Sequence, residues 1–348
     1  MHIRQSFSSS NASTVIPISQ FNRCPQISPI SSVCFESNCF PRRSQSAKVL
    51  GLLKRQRNFC VENLRINGSR MTNQCVEGSN SNYNTDEFVE VGNKIADAAG
   101  QLIRQYFRQR FDILDKEDLS PVTIADRAAE EAMRSVIAQH FPTHAIFGEE
   151  NGWTCNEENA EYVWVLDPID GTKSFITGKP LFGTLIALVH KGIPIVGIID
   201  QPILGERWIG KLGEKSTFNG KEISTRLCKS LSKAYMYTTS PHLFKGEAEE
   251  AYGRVRNKVK VPLYGCDCYA YALLASGHVD LVIESGLKPY DFMALIPVIE
   301  GAGGIITDWK GNKLSWNPSS DGHFPDFNVI AAGDAIVYQE ALSLLQWK

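Results

Sequence analysis

The sequence predicts a layered protein of mixed class, α+β in its first half and α/β in its second. Three observations carry this expectation. Apolar residues recur at helical spacing near residues 85–106 and 126–140. Runs rich in β-branched and aromatic residues, broken by turn residues, follow between 162 and 222. Beyond residue 225 helix-like and strand-like segments alternate, the pattern of α/β layers.

Thr85 is the expected N-cap of the first helix, with Asp86 and Glu87 in its first turn and Phe88, Val91, Ile95, Leu102, Ile103 and Tyr106 along its apolar face. A second helix is expected from Asp126 through Met133, Val136 and Ile137 to His140, stopped by Pro142. Strands are expected at Tyr162–Leu166, Leu185–Val189 and Ile195–Ile199, the last two separated by Lys191-Gly192. Asn219-Gly220 is a tight-turn signal. Tyr269–Ser276 reads as a helix stopped by Gly277, Val279–Glu284 as a strand, and Phe292–Glu300 as one helix ending at Gly301.

The chain has 348 residues and a net charge of −2 that conceals an asymmetry. Residues 1–80 hold ten Lys or Arg and three acids, leaving 26 basic and 35 acidic side chains, a net of −9, for the remainder. So acidic a body is poorly suited to a nucleic-acid backbone, whereas a cluster of its acids suits divalent cations. No apolar run approaches a membrane span. The first 70 or so residues are Ser- and Arg-rich and acid-poor, the composition of an organelle transit peptide, and the Ser content points to the plastid stroma. The expected division is therefore a leader over 1–75, an N-terminal subdomain over 80–225 and a C-terminal subdomain over 226–348. The nine cysteines contain no C-x-x-C pair, which predicts free thiols rather than a zinc or dithiol site. The scattered histidines suggest no catalyst or ligand, and the six tryptophans read as packing.

The informative stretch is Asp167-Pro168-Ile169-Asp170-Gly171-Thr172, directly after a predicted strand. Two carboxylates leave one strand end on a short turn, where they would repel strongly unless cations lie between them. Hard oxygen ligands of this kind suit Mg²⁺. Gly171-Thr172 is expected to open a short helix whose N-terminal N–H groups would face an anion beside the metals. Gly148-Glu149-Glu150, Val122-Thr123-Ile124-Ala125-Asp126 and Pro289-Tyr290-Asp291 are each weak alone: adjacent acids usually sit on solvated loops, and Asp126 and Asp291 each stand where a helix cap would.

In this order, however, Thr123-Ile124-Ala125-Asp126, Gly148-Glu149-Glu150, Asp167 to Thr172 and Tyr290-Asp291 resemble the inositol monophosphatase family, over roughly residues 85–345. The resemblance implies a five-layered αβαβα sandwich, usually a homodimer, and hydrolysis of a small-molecule phosphate ester. It implies two or three Mg²⁺ held by Glu149, Asp167, Asp170, Asp291 and the carbonyl of Ile169, with Asp167 bridging. Thr172 and Glu149 would orient the attacking water, Asp126 would hold the Thr172 hydroxyl, and the backbone of Gly171 and Thr172 would bind phosphate. No C-x₅-R motif offers a protein nucleophile in place of water.

Ser174 and Tyr290 stand where inositol-acting members usually have Asn and Trp, and both resemble the histidinol-phosphatase branch. The branch implies hydrolysis of L-histidinol phosphate to L-histidinol and phosphate; inositol or galactose phosphates are the alternative, and a non-catalytic phosphate-binding relative a third. Asp267 aligns with a substrate-bordering position that is small and apolar in inositol phosphatases, and Glu284 with the family's polyol-contacting Glu. Together they would complement an ammonium and an imidazole. Asp267 as a mere cap of the helix from Tyr269 is the competing expectation.

Overall fold

The computed structural model describes residues 84–110, 113–115, 121–155, 160–316 and 325–346. The expected leader lies outside these residues. Thr85–Tyr106 (α1) buries Phe88, Val91, Ile95, Ala99 and Ile103 along one face, as their spacing requires. Its N-cap is Asn84, so Thr85 is the first helical residue and not the cap. Two short antiparallel strands, Ile113–Asp115 (β1) and Pro121–Thr123 (β2), lead into Ile124–His140 (α2), which starts two residues earlier than its acidic signal. Thr123 is the N-cap and Asp126 closes a capping box from the third position.

The first sheet contains Ala145–Gly148 (β3), Gly152–Thr154 (β4) and Tyr162–Asp170 (β5). Thr172–Ile176 (α3) intervenes before Gly183–His190 (β6), Ile193–Gln201 (β7), Glu206–Lys211 (β8), Thr217–Phe218 (β9) and Lys221–Glu222 (β10). These eight strands are ordered β10-β9-β8-β7-β6-β5-β3-β4, with only β3–β5 parallel. The second sheet contains Tyr235–Thr238 (β11), then, after Glu247–Arg256 (α4), Val261–Tyr264 (β12). Cys268–Ala275 (α5), Leu281–Leu287 (β13), Pro289–Phe292 (α6), Leu295–Gly301 (α7), Ile305–Asp308 (β14), Phe327–Ala332 (β15) and Ala335–Leu345 (α8) complete it. Its order is β12-β11-β13-β15-β14.

Three cores bind these elements into five layers. Strand alternation sends Trp164, Leu166, Ile186 and Leu188 against α1 and α2. The same strands send Val163, Val165, Leu185 and Ala187 to the other face, against α5–α7 and one face of the second sheet. Leu281, Ile283, Ile330 and Ala332 on that sheet's outer face pack against α4 and α8. The central strands are buried on both faces, which is why they read as continuous apolar runs. The result is the expected αβαβα sandwich.

One close approach sets the middle layer. Gly197 and Gly210 are cross-strand partners on β7 and β8. A Cβ on Gly197 would lie 2.1 Å from the Ala294 carbonyl oxygen, and one on Gly210 would lie 2.3 Å from the backbone of Pro297 and Val298. Only glycine lets α7 rest on the sheet here. The expected single helix over 292–300 is instead two, α6 and α7, broken at Met293-Ala294.

Candidate active site

The Asp167–Thr172 segment is built by an irregularity in β5. The strand does not end at Leu166 as expected but runs through Asp170. Its antiparallel register to β6 shifts between the Asp167–Leu185 and Asp170–Gly183 pairs, one residue being extra on β5. Such a bulge bends the strand and re-aims its side chains. The Asp167 carboxylate accepts the Ile169 N–H at 3.0 Å, and the Thr184 hydroxyl donates to the Pro168 carbonyl at 2.8 Å, fixing the bulge from both sides. Gly171, at φ 99°, then reverses the chain into α3.

Asp291 arrives from the middle layer. It is the third residue of α6, where its carboxylate accepts the Lys288 N–H at 2.7 Å. Carboxylate oxygens of Asp167, Asp170 and Asp291 all lie within 4.8 Å of one another. Glu149 follows β3, its N–H bound to the Leu166 carbonyl at 3.1 Å, and its side chain hydrogen-bonds to that of Asp167. Asp170 also accepts the Cys268 N–H at 2.7 Å, the first amide of α5. The four acids thus converge from two layers, the first sheet and the helices packed on it.

Their protonation reflects that crowding. Asp167 is pushed well above the usual carboxylate range by burial first, then by repulsion from Glu149, Asp170 and Asp291. Asp170 is raised by burial and by Asp267 and Asp291. Burial pushes Asp291 to about 8, against the opposing hydrogen bond from Lys288. Buried acids this close ionise together only around cations, and an all-oxygen donor set of this kind fits a hard metal ion.

Thr172 opens α3 with its hydroxyl 3.4 Å from the Asp126 carboxylate and 3.2 Å from the Ile169 carbonyl oxygen. Asp126 also accepts the Thr123 N–H at 2.9 Å and the Thr123 hydroxyl, and burial raises it to about 6. The cap role and the contact with Thr172 are therefore held by one side chain, using both of its oxygens.

Asp267 is not a side-chain cap. It occupies the N-cap position of α5 at φ 46°, ψ −133°, with no side-chain cap bond. Its carboxylate instead accepts the Ser174 hydroxyl at 3.4 Å, and a Cβ added to Gly171 would lie 3.0 Å from its Oδ2. Burial raises its pKa, and Ser174 and Thr239 hydrogen bonds oppose the rise. Glu284, on β13, accepts the Thr239 N–H at 2.6 Å and the Thr238 hydroxyl at 3.2 Å, and burial pushes it to about 8. Repulsion from Asp267 adds to the rise of Glu284, and both carboxylates hydrogen-bond to Thr239. Tyr290 packs its ring on Phe147, 5.9 Å between centroids.

The sequence reading missed Glu130 and Arg134. Both lie on α2, and Glu130 is fully buried beneath the Glu149 turn. The available signal was a Glu and an Arg four residues apart, with the Glu four residues after Asp126, on one helical face.

The family model for the inositol monophosphatase family matches residues 84–343. The chain is 62% identical over 304 residues to the chloroplastic bifunctional phosphatase IMPL2 of Arabidopsis thaliana, covering 87% of each. It is 34% identical over 229 residues to a histidinol-phosphatase of Mycobacterium tuberculosis, covering 62% of this chain and 85% of that one. A solved inositol monophosphatase from Zymomonas mobilis superimposes with a TM-score of 0.68 at 46% identity, covering 76% of this chain and all of that one. Fold, acidic cluster and relatives together define a phosphomonoesterase. The chain belongs to the inositol monophosphatase family, whose enzymes are generally metal-dependent. Among the described residues no helix is long and apolar enough to cross a membrane.

Proposed function

We propose that this phosphatase hydrolyses L-histidinol phosphate to L-histidinol and inorganic phosphate, with Mg²⁺, as a homodimer in the plastid. The observation that carries the substrate assignment is Asp267. A half-buried carboxylate hydrogen-bonded to Ser174 and held against the phosphate turn gives the pocket a negative wall suited to a cationic alcohol. Relatives named histidinol-phosphatase support the same reading. The plastid location rests on the leader's composition and on the Arabidopsis relative's name.

Glu149, Asp167, Asp170, Asp291 and the Ile169 carbonyl would hold two or three Mg²⁺. A metal held by these residues would supply charge neutralisation at the phosphoryl group and a more acidic water. The Thr172 hydroxyl has one proton, which it donates to Asp126 or to the Ile169 carbonyl. Its lone pairs are left to accept from the attacking water, while Glu149 accepts the second water proton. Amides of Gly171 and Thr172 would bind the phosphate oxygens. Glu284 and Asp267 would take the imidazole and ammonium.

A second reading, activity on an inositol or galactose phosphate as well, is favoured by the word bifunctional in the name of the Arabidopsis relative. Phosphate release from histidinol phosphate and inositol 1-phosphate, each with and without EDTA, separates the two. The expected result is a preference for histidinol phosphate that EDTA abolishes. A preference for inositol phosphate would overturn the substrate, and EDTA-insensitive release would overturn the metal.

A further inference from the structure

One helical turn beyond Asp126, α2 carries a second fully buried carboxylate that the mechanism above does not use. Glu130 accepts the Glu150 N–H at 2.7 Å, the Asn151 N–H at 3.0 Å and the Asn151 side-chain amide at 3.1 Å. Arg134 pairs with it at 2.7 Å, and spans the same turn by donating to the Gly152 carbonyl at 2.6 Å and the Thr154 hydroxyl at 3.0 Å. Gly148 leaves room for this clamp, since a Cβ there would lie 2.3 Å from a Glu130 oxygen.

The consequence falls on Glu149. The peptide before its Cα is tied to β5 through the Leu166 carbonyl, and the peptide after it is tied to Glu130. Fixing both flanking peptide planes fixes the direction of the Cα–Cβ bond, and so aims the carboxylate at Asp167. We propose that Glu130, braced by Arg134, is a positioning residue for Glu149. Asp126 and Glu130, at i and i+4 on α2, would then place the two groups that orient the attacking water, Thr172 and Glu149. This inference rests on the proposed role of Glu149.

The test compares the full-length wild type with Glu130→Gln and Glu130→Ala. Three quantities are read: the melting temperature of the metal-free protein, Mn²⁺ affinity by EPR titration, and the Mg²⁺ concentration for half-maximal phosphate release. Outer partners of metal ligands typically account for about 10–100-fold in affinity. Glu130→Ala is expected to weaken Mn²⁺ binding and raise the Mg²⁺ requirement by that factor. KM for the ester at saturating Mg²⁺ should change less than about 3-fold, because Glu149 faces the metal rather than the alcohol. Glu130→Gln keeps one acceptor for the turn and is expected to recover part of the loss. Should Glu130→Ala not fold, the folded Glu130→Gln decides alone, with an expected weakening of at least about 3-fold. A folded variant with wild-type Mn²⁺ affinity and Mg²⁺ requirement overturns the positioning role while leaving the proposed function intact. A wild type that binds no Mn²⁺ overturns the metal reading, and this inference with it.

Discussion

Asp267 gives the sharpest test of the substrate reading, because its backbone and its side chain make opposite demands. At φ 46°, ψ −133° it stands in a region that is essentially glycine's, between Cys266 at φ 87° and the start of α5. A non-glycine residue there costs about 1–3 kcal/mol, and glycine returns about 0.5–1 of that through the larger freedom of the unfolded chain. Asp267→Gly should therefore be more stable than Asp267→Ala, which loses the same Ser174 and Thr239 hydrogen bonds, by about 0.5–2 kcal/mol. With an unfolding entropy of about 2.1 cal/mol/K per residue over roughly 260 folded residues, this raises Tm by about 1–4 °C over that of the alanine variant. The same change removes a charge-assisted hydrogen bond to a cationic substrate, about 1.5–3 kcal/mol, or about 10–150-fold in KM for histidinol phosphate. KM for a neutral polyol phosphate should hardly move. Asp267→Ala is the control, losing the carboxylate but keeping the strained Cβ, so it should share the loss of selectivity without the thermal gain. Calorimetry and steady-state kinetics on the three proteins read both halves. The strain reasoning is refuted if the glycine and alanine variants melt together. The substrate reasoning is refuted if both substrates lose equally.

Two further outcomes are expected. Thr172→Val keeps the shape of the side chain and removes the hydroxyl that reaches Asp126 and Ile169, so kcat should fall about 10²–10⁴-fold with KM little changed; a kcat within a few-fold of wild type would remove Thr172 from the reaction. Asp291 is raised by burial to about 8 and Asp126 to about 6, so their contribution to stability is present at low pH and lost as pH rises through those values. Metal-free protein should thus lose Tm between about pH 4 and 8, and Mg²⁺ should restore it most at the alkaline end, where the acids are ready to bind. A chelated protein with a flat Tm over that range would contradict this.

Much of the fold was legible because it is local. The α1 stripe follows from spacing, and the turns at Lys191-Gly192 and Asn219-Gly220 are pairs of residues with positive φ, 49° and 81°, then 46° and 76°. The errors lie where tertiary packing decides. Pro168 read as a turn residue, yet β5 continues through it because a bulge absorbs the irregularity and β6 pairs on both sides. The break between α6 and α7 falls at Met293-Ala294, four residues before Pro297, which has no N–H to donate to the Met293 carbonyl and crowds it with its ring. The same segment rests on Gly197 and Gly210, some hundred residues earlier in the chain, a contact that no local window shows.

The acids show why a site can be recognised in sequence before its geometry can be derived. Each motif alone carried a sound local alternative, and two of those alternatives met different fates. Asp126 does close a capping box, and its second oxygen still serves Thr172. Asp267 makes no side-chain cap, and the first amide of α5 is taken by Asp170, 98 residues away. That bond links Asp170 of the acidic cluster to the helix behind the pocket. The bond forms only when α5 docks on the first sheet, so the placement of Asp170 and the docking of α5 favour each other. This reciprocity couples formation of the site to packing of the middle layer. No window of sequence short enough to read as a helix or a turn contains both partners.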